Sequence, residues 1–185
     1  MSVIVIGIDP GTANTGFGVV RTSGDRMVAL DGGVIETPPA LPVERRLAQL
    51  HDSLGELIRW HEPKAMALED LFFGKNVASA MSVGEARGVA MLAAAKHEVA
   101  CHDYTPQAVK KAVCGSGGAD KSQVQRMVAS LLGLPEPPAP DHAADAFAVA
   151  ICHAGTAAAG NAVSHFGRPR VGTTPAMGAR QRLAG

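Results

Sequence analysis

The chain has 185 residues, with 17 Lys+Arg balancing 17 Asp+Glu, 46% hydrophobic and only 4% aromatic residues. That length fits one domain whose core needs no staples, and the apolar content excludes a wholly disordered chain. The three cysteines (Cys101, Cys114, Cys152) form no CxxC pair, which argues against a disulfide framework or a Cys-rich zinc site and suits a reducing cytosol.

Val3 to Ile8 is a short apolar run that ends at the turn signal Asp9-Pro10-Gly11. It lacks the basic leader of a signal peptide, and no apolar run reaches the roughly 18 residues of a membrane span. A cytoplasmic protein with no membrane partner is expected. Gly16 to Val20 and Met27 to Ile35 read as two further strands, joined as a hairpin around Ser23-Gly24-Asp25. Leu47, Leu50, Leu54, Leu57 and Ile58 recur at helical spacing, so residues 42–60 form an amphipathic helix. Ala65 to Leu68 is a short buried strand that runs into Glu69-Asp70, and the Ala- and Met-rich residues 77–97 are helical. Val99 to Tyr104 is a fifth strand. Thr105-Pro106 opens a helix with a cap and a proline in its first turn, broken at Gly115 to Gly118. Lys121 to Leu132 is another helix, and Asp141 caps a last one that runs to about His153. The order β-β-β-α-β-α-β-α-α-α predicts an α/β domain with a mixed five-stranded sheet flanked by helices. The domain is placed at residues 1–157 and a disordered basic tail at 158–185.

Zero net charge argues against a nucleic-acid partner only if the charge is evenly spread. It is not. Residues 1–73 hold 10 acids and 6 bases, 74–134 hold 4 acids and 7 bases, 135–160 hold 3 acids and no base, and 161–185 hold 4 Arg and no acid. Two acidic blocks alternate with two basic ones.

Asp9 and Glu69 each sit at the end of a strand, and strand ends are where α/β folds gather functional side chains. His142 and Asp145, three residues apart, share one face of the last helix. Taken singly, Asp9 is equally a turn former, Glu69 a solvated loop acid, Asp145 an acid facing a helix N-terminus and His142 a surface residue. Asp141 reads better as the N-cap than as a ligand. If the first and fourth strands are neighbours, two carboxylates lie side by side and call for a hard divalent cation.

The run Ile6-Gly7-Ile8-Asp9-Pro10-Gly11-Thr12 with Thr15-Gly16-Phe17-Gly18-Val19 resembles the first two strands of RuvC-type Holliday junction resolvases. Leu68-Glu69, Leu71-Phe72, Lys75-Asn76, Glu85-Ala86-Arg87-Gly88-Val89-Ala90, Gln107-Ala108-Val109-Lys110, Asp120-Lys121-Ser122-Gln123-Val124 and Ala143-Ala144-Asp145-Ala146 continue the resemblance in order, through residues 3–153. It implies an RNase H-like fold, a homodimer, and a metal-dependent endonuclease that nicks four-way DNA junctions in recombination and repair, leaving 5′-phosphate and 3′-hydroxyl ends. It also implies cooperation with a branch-migration helicase complex. Asp9, Glu69 and Asp145 match three of the family's metal-binding acids. The fourth place falls on His142, where many members have Asp. The implied cofactor is Mg²⁺ or Mn²⁺, two ions per site, with imidazole favouring Mn²⁺.

The resemblance also places Lys110 and Lys121 near the reacting phosphate, and Phe72 against the junction. Phe73, Lys75, Asn76, Arg87, Lys111 and Arg126 are further DNA-contact candidates. Gly115 to Ser122 is not a P-loop, because Asp120 stands where glycine is required. Three other readings share features of the sequence: an ATPase or sugar kinase of the actin type, a junction-binding protein with a decayed site, and an RNase H-like RNA-processing nuclease. For the first, 185 residues do not supply two lobes and a nucleotide cleft.

Overall fold

A computed structural model describes residues 2–70 and 77–158. Strands β1 (Ser2–Asp9), β2 (Asn14–Ser23) and β3 (Arg26–Glu36) are followed by helix α1 (Val43–His61), strand β4 (Ala65–Glu69), helix α2 (Val77–Lys96) and strand β5 (Ala100–Tyr104). Helices α3 (Pro106–Cys114), α4 (Lys121–Leu132) and α5 (Asp141–Ala158) complete the described residues. The sheet order is β3-β2-β1-β4-β5. β1, β2 and β3 form an antiparallel meander, and β4 and β5 add in parallel to β1. This is the mixed five-stranded sheet with flanking helices that the sequence predicts. The expected tail at 158–185 lies, apart from Ala158, outside the described residues.

Local chemistry explains the punctuation. Gly24 takes a positive φ of 60° at the hairpin turn, a conformation that suits glycine. The Thr105 side chain caps α3 by accepting from Ala108 N. Asp120 and Gln123 form a reciprocal capping box at α4. The six residues before α4 are a structured turn in which Gly118 N bonds Ser116 Oγ and Ala119 N bonds Ser116 O.

Helix α5 departs from expectation in three ways. It runs about a turn beyond His153, through Gly155 to Ala158, and Thr156 Oγ1 donates to the Cys152 carbonyl there. It crosses the face of the sheet, against all five strands, a placement its sequence does not announce. Finally, Asp141 is no N-cap. Its carboxylate reaches sideways to α4, where it accepts from Gln125 Nε2 and pairs with Lys121.

The two faces of the sheet are packed differently. One is covered by α1 and α2 over Ile6, Ile8, Val19, Leu50, Leu54, Met66 and Leu68, all at or below 1% exposure. The other is covered by α5, backed by α3 and α4, over Val5, Val20, Ala67, Phe147, Ala148 and Val149. Glycines let α5 approach. A Cβ on Gly7 would lie 2.1 Å from Ala146 O, and one on Gly16 would lie 2.0 Å from His142 O. Gly18 and Gly32 leave room for the Phe147 ring.

Candidate active site

Register brings the acids together. β1 and β4 run parallel with Ile8 opposite Leu68, so the next residues, Asp9 and Glu69, leave the same sheet edge side by side. The tight seat of α5 on Gly7 and Gly16 sets the first turn of that helix over this edge. There His142 Nδ1 lies 2.7 Å from Asp9 Oδ2. With Nδ1–H donated to the carboxylate, Nε2 presents its lone pair, as in a metal-ligating histidine oriented by an acid.

Glu69 senses this crowding. Its pKa is pushed up to about 7, first by burial and then by the negative charges of Asp9 and Asp145, with Lys110 opposing. Asp145 is also held above the ordinary carboxylate range, chiefly by burial, with Lys121 pulling the other way. Three carboxylates therefore face one another with too little positive charge between them. Lys121 Nζ stands 2.9 Å from Asp141 Oδ2 and 3.5 Å from Asp145 Oδ2. Its ammonium is stabilised above the usual range, mainly through the bond to Asp141.

A cavity of about 240 Å³ opens beside the acids. Glu69, Asp145, Lys110 and Lys121 form its polar rim, and Pro106, Val109 and Val149 its apolar floor. A larger cavity of about 650 Å³ lies elsewhere, between β2, β3 and α1 around Trp60. Size and chemistry disagree here. The smaller cavity is the candidate site, because perturbed carboxylates and two lysines converge on it.

The donor set suits a hard divalent ion: three carboxylates and one imidazole, with Glu69 uncompensated. Among the described residues no three His, Cys, Asp or Glu side chains are yet drawn close enough to enclose an ion. Asp9 is engaged by His142, and Asp145 by Lys121.

Of the remaining residues singled out in the sequence, Lys110 is half-buried on the cavity rim, while Lys111 and Arg126 are exposed on α3 and α4. Arg87 turns inward. At 12% exposure its guanidinium lies 2.6 Å from Asp103 and donates to the Glu69 carbonyl at 3.1 Å. It supports the end of β4 and is not a surface phosphate contact. Phe72, Phe73, Lys75 and Asn76 lie outside the described residues.

Two features went unread in the sequence. Asp141 is the partner of Lys121, a contact between helices twenty residues apart. The glycines seating α5 did carry a signal: Gly16 and Gly18 alternate on one face of a strand, the pattern of a close backbone approach.

The family profile described as crossover junction endodeoxyribonuclease RuvC matches residues 5–153. The chain is 50% identical over 152 residues to the crossover junction endodeoxyribonuclease RuvC of Pelotomaculum thermopropionicum, covering 82% of this chain and 93% of that protein. It is 52% identical, with the same coverage, to that of Chloroflexus aggregans. The solved structure of Thermus thermophilus RuvC in complex with Holliday junction substrate superposes with a TM-score of 0.83 at 38% identity, over 86% of this chain and 98% of that one. A yeast mitochondrial Holliday junction resolvase, 15% identical with a TM-score of 0.54, shares the fold.

Proposed function

The chain belongs to the RuvC family of crossover junction endodeoxyribonucleases, and on that premise we propose that Asp9, Glu69, His142 and Asp145 form its catalytic centre. It is a divalent-metal-dependent nuclease of recombination and repair that resolves four-way DNA junctions. One observation carries the assignment of residues: register and the seat of α5 deliver Asp9, Glu69, His142 and Asp145 to one sheet edge, beside a cavity lined by Lys110 and Lys121.

Asp9, Glu69, Asp145 and the free nitrogen of His142 would hold the metal, two ions of Mg²⁺ or Mn²⁺ per site. Such ions supply an activated water and charge stabilisation at the leaving oxygen of an in-line displacement. The chain's own residues do the rest. Asp9 orients the His142 ring. Lys121, exchanging Asp145 for a phosphate oxygen, neutralises charge that builds on the phosphoryl group. Asp141 and Gln125 keep that ammonium at the site meanwhile. Lys110 anchors the strand on the cavity rim. Phosphodiester hydrolysis of this kind leaves 5′-phosphate and 3′-hydroxyl ends. Two such sites related by a two-fold axis in a homodimer would cut strands of like polarity, and a branch-migration helicase complex is the further partner. Phe72, Phe73, Lys75 and Asn76 stay in the proposal as junction contacts from the segment between β4 and α2.

The test is cleavage of a synthetic four-way junction beside linear duplex and an RNA–DNA hybrid. Wild type should nick the junction preferentially, and only with a divalent ion. Glu69→Gln should lower kcat by at least about 100-fold, more than loss of groups that merely support a ligand. Equal activity on all three substrates would reject the junction assignment. The His142 imidazole should favour Mn²⁺ over Mg²⁺, and His142→Asp should shift the preference toward Mg²⁺. An unchanged metal preference would remove His142 from the ligand set.

A further inference from the structure

The lysines lie on one side of the carboxylates, yet a strand cut in the middle must continue past them on both sides. We infer that the loop Gly11 to Asn14, together with Ser82 and Val83 of α2, is a second DNA subsite that holds the sugar-phosphate backbone where it leaves the carboxylates. This rests on the nuclease reading above and extends it to residues that reading does not use.

The surface is a cavity of about 440 Å³ lined by Gly11, Thr12, Asn14, Ser82, Val83 and His142. His142 joins it to the acids, since its ring forms one wall and bonds Asp9. One cavity thus meets the acids at Glu69 and Asp145, beside Lys110 and Lys121; the other meets them through His142 and Asp9, beside hydroxyl and amide groups.

The wall is rigid without help from a ligand. Thr15 Oγ1 donates to Gly11 O at 2.6 Å, and Thr37 N donates to Ala13 O at 3.0 Å. Thr37 Oγ1 donates to Thr12 O and itself accepts from Arg46 Nε. Thr12, only 7% exposed, meets Ser82 through their hydroxyls and so ties the loop to α2. Gly11 also cannot gain a side chain, since a Cβ there would lie 2.5 Å from Asn14 O. Asn14 is the exception in this pinned loop. It is exposed, and among the described residues its side chain makes no hydrogen bond. A fixed wall that presents an uncommitted amide is preorganised to bind.

The absence of charge fits the ligand. A phosphate here would lie next to the acidic centre, where a neutral amide can donate to it. Neutral donors of this kind contact phosphate and sugar in many DNA-binding proteins and fix register without sequence preference. They release no counterions, so they add affinity without adding salt dependence.

The experiment measures junction affinity in a non-cleaving Ca²⁺ buffer across a salt series, and cleavage in Mg²⁺, for wild type, Asn14→Ala, Asn14→Asp and Lys110→Ala. Asn14→Ala should weaken binding about 2- to 10-fold with the salt slope unchanged. Asn14→Asp should weaken it further, because a carboxylate repels the phosphate, and should raise KM more than it lowers kcat. Lys110→Ala should flatten the slope by about 1. Thermal melting checks that the exposed Asn14 variants stay folded. Wild-type binding and cleavage by Asn14→Asp, alongside an impaired Lys110→Ala, would overturn the subsite while leaving the nuclease reading intact. Failure of the wild type to bind or cut any junction would overturn the nuclease reading, and the subsite with it.

Discussion

The two faces of the sheet solve opposite problems. On the α1/α2 face the space is filled: isoleucines, leucines and Met66 interdigitate, and no proposed ligand comes from either helix. On the α5 face the space is removed. Glycines at Gly7, Gly16, Gly18 and Gly32 strip the strands of side chains so that the helix backbone nearly touches the sheet. Filling stabilises, because each buried aliphatic contributes about 1.5–3 kcal/mol. Removal sacrifices that burial and gains closeness: His142 comes within 2.7 Å of Asp9, and Asp145 near enough to perturb Glu69. One face holds the domain together, and the other holds the reacting groups at a fixed distance.

The strongest way to break this contrast is to damage each face once. Gly16→Ala forces a methyl into the backbone of His142 and should push the first turn of α5 away. A displacement of about 1 Å in a catalytic constellation costs roughly 100-fold in rate, so kcat should fall by about that factor. Leu54→Ala should lower stability by about 2–5 kcal/mol, yet cut junctions within about twofold of wild type at temperatures where it is folded. Chemical denaturation and single-turnover cleavage on both variants make the comparison. If Leu54→Ala loses as much rate as Gly16→Ala, the division of labour between the faces is wrong.

A second test concerns what the crowded acids cost the fold. Glu69 keeps its proton to about pH 7 in the folded chain, whereas an ordinary glutamate gives it up near 4.5. Between those values the folded state binds more protons than the unfolded state, so stability falls as pH rises. Above pH 7 the penalty is complete. Gln at this position carries no such penalty. Without divalent ions, Glu69→Gln should therefore match wild type near pH 4.5 and melt roughly 2–6 °C higher at pH 8. Mg²⁺ should close the gap by stabilising wild type more than the variant. A difference that ignores pH would mean that Glu69 does not titrate against its neighbours.

The sequence made these elements legible to different depths. All ten strands and helices of the described residues can be placed, because aliphatic periodicity and capping residues such as Thr105 and Asp120 are local signals. Asp9 and Glu69 can be paired conditionally, since adjacency of β1 and β4 is a property of topology. His142 and Asp145 share a helix face by spacing alone. What spacing cannot give is the direction of a side chain at an element's end. Asp141 looked like a cap because the helix starts there. The ammonium of Lys121, brought alongside by the packing of α4 on α5, offers that carboxylate a charged partner instead. Arg87 looked like a phosphate contact because basic residues cluster around it in sequence. The helix face it occupies instead points at Asp103 and the Glu69 carbonyl. Both misreadings arise from charges whose partners lie in another element.

The smallest expected effect falls on the most conspicuous surface feature. Trp60, the chain's one tryptophan, is 84% exposed at the last turn of α1, beside the 650 Å³ cavity. A bulky aromatic next to a large cavity invites assignment to the junction. The contrast between the faces says otherwise. The cavity's polar wall mixes Asp31 and Glu56 with Ser53, Arg59 and His61, Asp31 being already paired to His61 at 2.9 Å, and none of the four proposed ligands borders it. An exposed side chain that supports no packing should cost less than about 0.5 kcal/mol when removed. Trp60→Ala should therefore leave both the melting temperature and junction cleavage within error of wild type. A tenfold loss of cleavage with an unchanged melting temperature would bring substrate to the end of α1, outside both proposed DNA subsites, and end the claim that α1 serves stability alone.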